Sequence, residues 1–411
     1  MAPSDRPPPL VLRFDRRRLL QGASALSSLN LIGLASCAAE VAAPGRPTPT
    51  SMPQPRLAPI RASLQRVFDV TVCRRPFRAA GPRLDAETVG DALIVHNYGH
   101  GGSGWSLSWG SATQAVKKAM AASPAEIAVV GCGAIGLTSA ILAQQAGAKV
   151  TIYARELLPD TRSARATGSW TPDSRIALAS KVDPGFPALW EEMARTSFHT
   201  WRRYLGLPGS PVEWTDRYYL SGLVPGAAQA PPDPALAVAQ LDFAGYLDRI
   251  RDITPAPTSI PVEATPFPVA GVSTTSLMQF NIADLGHTLL NDFLTAGGRI
   301  VRAEFHEPAE LGRLREKVVI NCPGYGARAL WRDETIVPVR GQISWLIPQP
   351  EVTYGLYYDG VSTVPRRDGI VLQLLDGGDM RGYGDDHEVP DPAETRAAVT
   401  RIAELFAAMK R

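Results

Sequence analysis

The chain has 411 residues, 45% of them hydrophobic and 20% charged, with a formal net charge of +2. That length suffices for two or three domains around a large core, and a charge balance so near neutrality excludes the electrostatic footprint of a nucleic-acid binder. Four cysteines, Cys37, Cys73, Cys132 and Cys322, match no zinc spacing and no disulfide framework.

In chain order, Asp15-Arg16-Arg17-Arg18-Leu19-Leu20 resembles a twin-arginine export signal. The weakly apolar run that follows, residues 19–35, is broken by Gln21, Ser27, Ser28 and Asn30 and is too polar to span a membrane stably. It ends in Leu34-Ala35-Ser36-Cys37, which resembles a lipoprotein box. Export by the twin-arginine route, cleavage before Cys37 and a lipid anchor there are therefore expected, placing the protein in the periplasm or cell envelope. The alternative is a plain cleavage region in which Cys37 is incidental. Loss of residues 1–36 removes five Arg and two Asp, so +2 becomes −1. Residues 42–59, rich in Pro, Ser and Thr, read as a stiff spacer.

A strand is expected over residues 65–72, followed by Arg74-Arg75-Pro76. The segment from His96 to Gly104 then places four glycines in six positions, which implies a backbone that closely approaches something. His96 and His100 have the spacing of a helical metal pair, but glycines on both sides of His100 forbid a stable helix there, so no metal is expected. Glu126-Ile127-Ala128-Val129-Val130 reads as a buried parallel strand. Gly131-Cys132-Gly133-Ala134-Ile135-Gly136 follows, then a helical stretch to Gln145, Gly147, and a second strand, Lys149-Val150-Thr151-Ile152-Tyr153. This is the context a dinucleotide fingerprint requires. Gly131 permits the turn, Gly133 admits the pyrophosphate and Gly136 lets the helix pack close. The helix opening at Ala134 and Ile135 offers its N–H groups to phosphate. At the tip of the second strand Glu156 is the candidate for the ribose hydroxyls. Arg155 is a surface or phosphate-facing charge, or else a hint of NADP; the fingerprint alone does not separate FAD from NAD(P). Cys132 and Cys322 fall in loops, either as small buried residues near the cofactor or as a redox pair. Residues 391–411 read as a helix opened by Asp391-Pro392, with Val399, Ile402, Leu405 and Phe406 as its apolar stripe.

Five stretches resemble the D-amino acid oxidase family. Residues 128–156 are similar to its nucleotide-binding unit, and Gly168-Ser169-Trp170-Thr171-Pro172 to its Gly-x-Trp-x-Pro loop. Val318-Val319-Ile320-Asn321-Cys322-Pro323-Gly324 and Pro338-Val339-Arg340-Gly341-Gln342-Ile343 resemble two of its turns. Arg74-Arg75-Pro76, Gly81-Pro82-Arg83-Leu84 and His96-Asn97-Tyr98-Gly99-His100-Gly101-Gly102 resemble its closing region. In the family that region ends the chain, whereas here it precedes the fingerprint. The resemblance therefore implies a circular permutation, joined near residues 119–124 and opened between the last helix and the strand at 65–72.

The resemblance implies an α/β (α+β overall) fold: a Rossmann-like FAD-binding domain with a parallel sheet, and a substrate domain on a mixed or antiparallel sheet. The expected segments are 1–37 signal, 38–59 linker, 60–175 FAD-binding, 176–271 substrate domain, 272–338 FAD-binding, and 339–411 substrate domain. It further implies FAD bound by Gly131, Gly133, Ala134, Ile135, Gly136, Arg155, Glu156, Gly168, Trp170, Thr171, Gly324 and the run Gly101, Gly102, Ser103, Gly104, Trp105 and Ser106. Arg75 would hold a substrate carboxylate, with Arg74 as its rival. Gly102 would contact the amine, and Tyr358 would be the first of two tyrosines over the substrate. Ser362 stands where the second is expected, which implies a wider or wetter pocket and leaves room for a substrate larger than, or different from, a simple neutral D-amino acid. The implied reaction is oxidative deamination of a D-amino acid or related amine by hydride transfer to the flavin N5, with O2 or a membrane quinone as acceptor. The other readings are a flavin-binding protein without turnover and, on Arg155 alone, an NADP-dependent reductase.

Overall fold

The computed structural model describes residues 57–227 and 240–410, so the expected signal, the anchor at Cys37 and most of the spacer lie outside the described residues. The described residues form one compact unit. Within it, short apolar runs become one sheet and longer alternating segments another. No helix among the described residues is long and apolar enough to cross a membrane.

The first sheet has six strands. In spatial order they are β2 (Ala86–Val89), β3 (Ala92–His96), β10 (Val318–Asn321), β4 (Glu126–Val130), β5 (Lys149–Ala154) and β9 (Arg299–Arg302). Every neighbouring pair is parallel except β2–β3. The central strands are buried on both faces, as Ile127, Ala128 and Val129 show at 0% exposure, and this is why they read as unbroken apolar runs. Helices α1 (Gly104–Met120), α2 (Ala134–Gln145), α3 (Phe186–Trp201) and α4 (Ile282–Thr295) join them in one apolar cluster. Short α5 (Pro308–Gly312) and α6 (Ala327–Leu330) flank β10 in the sequence.

The second sheet has eight strands in the order β1 (Val67–Arg78), β11 (Ile336–Leu346), β14 (Gly369–Leu374), β13 (Val361–Arg366), β12 (Tyr354–Tyr358), β6 (Val212–Ser221), β8 (Gly271–Phe280) and β7 (Thr258–Ile260). Only β12–β6 is parallel. One face is covered by α7 (Pro392–Ala407). Pro392 opens that helix and the Asp391 carboxylate accepts from the Ala393 N–H, satisfying a donor that the first turn leaves free. Val399, Ile402 and Leu405 are buried as the stripe required.

Segments 60–175 and 272–338 do not each stay within one sheet. Strand β1 pairs with β11 along its whole length, and β8 pairs with β6, so both belong to the mixed sheet, while β2 to β5, β9 and β10 build the parallel one. Strand β1 begins at Val67 and runs on to Arg78, which places the paired arginines inside the strand.

Candidate active site

A cavity of about 400 Å³ runs along the carboxyl ends of the parallel strands. This is the place where an open α/β sheet binds its ligand. At one end lie Ala154, Arg155 and Glu156, just past β5, facing residues 303–306. Arg155 is exposed and ion-paired to Glu156 at 2.9 Å and Glu304 at 2.8 Å, so its charge is already neutralised. That geometry leaves Arg155 no free charge for a 2′-phosphate. The middle of the cavity is walled by residues 130–136, with Gly131, Gly133, Ala134, Ile135 and Gly136 all lining it at the start of α2. The Ala134 N–H donates to Ser163 Oγ at 3.0 Å.

The far end is closed by the glycine run. Gly101, Gly102, Gly104 and Trp105 line the cavity, and the chain turns into α1 at Gly104. Gly101 has φ +55°, and a Cβ there would lie 1.9 Å from the Arg175 carbonyl oxygen, so only glycine fits. A buried polar chain fixes this loop. His100 Nε2 is 2.7 Å from Ser111 Oγ, Ser111 Oγ donates to Asn97 Oδ1 at 2.5 Å, and Asn97 Nδ2 donates to Ser139 Oγ at 3.1 Å. Burial pushes the His100 pKa down to about 3, so the ring is neutral at physiological pH.

Arg74 and Arg75 both line the cavity but differ in what they meet. Arg74 pairs with Glu388 at 3.0 Å and lies over the Tyr325 ring. Arg75 makes one long hydrogen bond, Nη1 to the Arg340 carbonyl at 3.4 Å, and among the described residues no carboxylate lies within ion-pair distance of it. Its guanidinium lies over Gly341, where a Cβ would sit 2.3 Å from Nη2. Enclosure by protein holds its pKa below the usual arginine value, with Cys73, Asp379 and Glu394 acting against that. Its planar fork has the geometry to take a carboxylate in two parallel hydrogen bonds.

Gly324 also lines the cavity. Gly168, Trp170, Thr171, Ser103 and Ser106 do not; they stand behind its wall. Trp170 is buried against Phe198, the Thr171 N–H donates to Ser106 Oγ at 2.8 Å, and Ser103 Oγ donates to the Ser174 carbonyl at 3.0 Å. Arg217 holds the same loop from the mixed sheet, donating to Ser169 Oγ at 2.7 Å.

Tyr358 requires a correction. It is 1% exposed, its hydroxyl accepts from the Val224 N–H at 3.1 Å, and it packs in the cluster beneath α7. The reason is the turn Asp359-Gly360, with φ of +44° and +72°, a two-residue hairpin loop. It pairs Tyr358 with Val361 and Tyr357 with Ser362. A spacing of four keeps one face only on a continuous strand, so Tyr358 and Ser362 point to opposite sides. Tyr357, beside Tyr219, shares the face of Ser362 and Gln373.

Sequence reasoning missed the segment 161–166, in which Thr161, Arg162, Ser163 and Arg165 line the cavity. Two arginines three apart just before the Gly-x-Trp-x-Pro loop were the available signal. Thr161 Oγ1, in the cavity wall, is buried and has no hydrogen-bond partner among the described residues. With the glycine cradle and the carboxylate at the β5 tip, the residues present fit FAD.

Residues 126–411 match the family described as FAD dependent oxidoreductase, DAO. D-amino-acid oxidases of Streptomyces coelicolor and Rubrobacter xylanophilus are each 29% identical, over 297 and 289 residues, spanning 68% of this chain and 77% of theirs. D-amino-acid oxidase of Dictyostelium discoideum is 46% identical over 69 residues, 16% of this chain and 19% of its own. Among solved structures, glycine oxidase from Geobacillus kaustophilus aligns at 15% identity with a TM-score of 0.47, over 69% of this chain and 80% of that one. With the glycine cradle at the carboxyl ends of the parallel strands and a family match that covers most of the chain, this protein belongs to the DAO family of FAD-dependent oxidoreductases.

Proposed function

We propose that the enzyme oxidatively deaminates a D-amino acid, giving an imino acid that water converts to a keto acid and ammonia. The observation that carries this reading is Arg75, which faces the cavity with no carboxylate partner among the described residues. Its planar fork receives the α-carboxylate in two parallel hydrogen bonds and fixes the substrate's orientation. The backbone of Gly102 is the proposed contact for the amine, at the glycine-rich end of the same cavity. FAD, when bound, accepts the hydride equivalent lost from the substrate Cα. The protein's own contribution is to bind, orient and exclude water. Neutral His100 and its hydroxyl chain keep the glycine loop in place without adding charge beside the flavin.

Arg75→Met tests the assignment. Binding of a carboxylate inhibitor, read by perturbation of flavin absorbance, should collapse while FAD stays bound. Undiminished inhibitor binding removes Arg75 from the site. Hydrogen peroxide measured against dye reduction distinguishes O2 from a quinone as acceptor.

Two proposals concern chain organisation. The order of motifs is read as a circular permutation, supported by the place of residues 60–120: β1 lies beside β11, β3 beside β10, and α1 packs with α2. A reordered chain opened in the turn between α1 and β4, with residues 60–120 moved behind α7, should fold and bind FAD. Export with a lipid anchor at Cys37 rests on the motifs alone; Cys37→Ala should release the protein from membranes into the soluble envelope fraction.

A further inference from the structure

A second cavity, of about 290 Å³, opens on the other side of Arg75, the one residue that lines both. Four arginines, Arg75, Arg175, Arg340 and Arg381, line it against three carboxylates, Asp385, Asp391 and Glu394, together with Gln342, Gln373 and the less polar Leu374, Leu375, Met380 and Tyr383. A neutral side chain placed against the arginines would leave any cation without a carboxylate desolvated and unpaired, which is costly.

The four arginines are unequally neutralised. Arg340 is satisfied: it pairs with Glu394 at 2.9 Å and donates to Gln342 Oε1 and the Val389 carbonyl. Arg381 has only the second oxygen of that same Glu394, at 3.5 Å. Arg175 is 5% exposed and donates to the carbonyls of Asp379 and Gly378, each at 2.8 Å. Carbonyls carry no charge, and its only carboxylate partner among the described residues, half-exposed Asp379, stands 3.5 Å from Nη1. Arg75 has none. Burial first, then the proximity of Arg75, bring Arg175 down to about 10. Two enclosed cations thus repel each other across a polar cavity.

The backbone at Arg175 is held where it points its side chain in. Its φ is +48°, uncommon for a residue with a Cβ, and its carbonyl is packed against Gly101. Such strain persists where the surroundings over-determine it, often at functional sites. Arg175 thereby connects the glycine loop to the loop 375–391 that roofs the second cavity.

We infer that the preferred substrate carries a second carboxylate, an amino acid of the aspartate or glutamate type, whose side-chain carboxylate is received in this cavity by Arg175 with Arg381 beside it. The inference rests on the proposed reading in which Arg75 holds the α-carboxylate. Gln373, in register with Ser362, lines the same cavity.

The test uses the FAD-loaded enzyme with isosteric pairs, D-glutamate against D-glutamine and D-aspartate against D-asparagine. The acid of at least one pair should exceed its amide in kcat/KM by about 30-fold or more, the size of an enclosed charge pair lost. In Arg175→Met this ratio should collapse to within about threefold, whatever happens to the common rate. Arg381→Met, which leaves Glu394 paired with Arg340, should lower the ratio in the same sense. Ligand-induced shifts of Tm give a second readout that needs no turnover: succinate should stabilise the wild type more than propionate, and Arg175→Met should lose that difference. Amides turned over as well as acids, or a ratio unchanged in Arg175→Met, overturn the inference and leave Arg175 as a tie for the loop. If no D-amino acid reduces the flavin, the broader reading fails; equal shifts with succinate and propionate would then overturn the dicarboxylate inference separately.

Discussion

Gly341→Ala isolates the position of one guanidinium. The Cβ it adds would lie 2.3 Å from Nη2, 2.5 Å from Cζ and 2.5 Å from Nη1 of Arg75, whereas ordinary contact begins at 3.4 Å. Gly341 lies on β11 without positive φ, opposite Cys73, so alanine fits the strand and the side chain must give way. The guanidinium retreats by about 1 Å, and because it is the end of a flexible side chain the cost in stability stays near 1 kcal/mol. The functional cost is larger. A charge-assisted pair loses its geometry, worth about 1.5–3 kcal/mol, which is roughly 10- to 150-fold in KM. Steady-state kinetics with the best D-amino acid, beside FAD affinity and Tm, make the measurement. KM within twofold of wild type, at unchanged FAD content, would refute the claim that Arg75 is held by the absence of a side chain at 341.

Gly101→Ala puts a Cβ 1.9 Å from a main-chain oxygen at φ +55°; it should cost about 2–4 kcal/mol in urea unfolding and weaken FAD retention. Tyr358→Phe should leave kcat and KM unchanged and cost about 1 kcal/mol, because the hydroxyl serves only the buried Val224 N–H; an altered KM would return Tyr358 to the site. His100 stays neutral to about pH 3 when folded, against 6.5 for the free group. Between those values the unfolded chain binds more protons, so stability falls as pH drops from about 6.5 toward 3. By pH 4.5 this amounts to roughly 2–3 kcal/mol, which His100→Gln should abolish. Equal losses in both proteins between pH 7 and pH 4.5 would exclude His100 as the source.

Local patterns in the chain alone were sufficient for the parallel core. Unbroken apolar runs on each side of Gly131-x-Gly133-x-x-Gly136 specify buried strands and a tight turn into a helix, because burial on both faces and close backbone approach leave few residue types possible. Asp391-Pro392 and the stripe through Leu405 specify α7 in the same way. Tyr358 was misplaced although its signal was local: Asp359-Gly360 is a hairpin turn, and reading it would have reversed the face. Other features had no local signal. That Arg74 meets Glu388 while Arg75 does not depends on a residue 314 positions away. The second cavity joins Arg75, Arg175, Gln373 and Arg381 from separate strands and loops. Which charges are neutralised, and which are left for a ligand, is decided only when the two sheets and the loop 375–391 close around them, because pairing energy depends on distances of a few ångströms between groups remote in the chain.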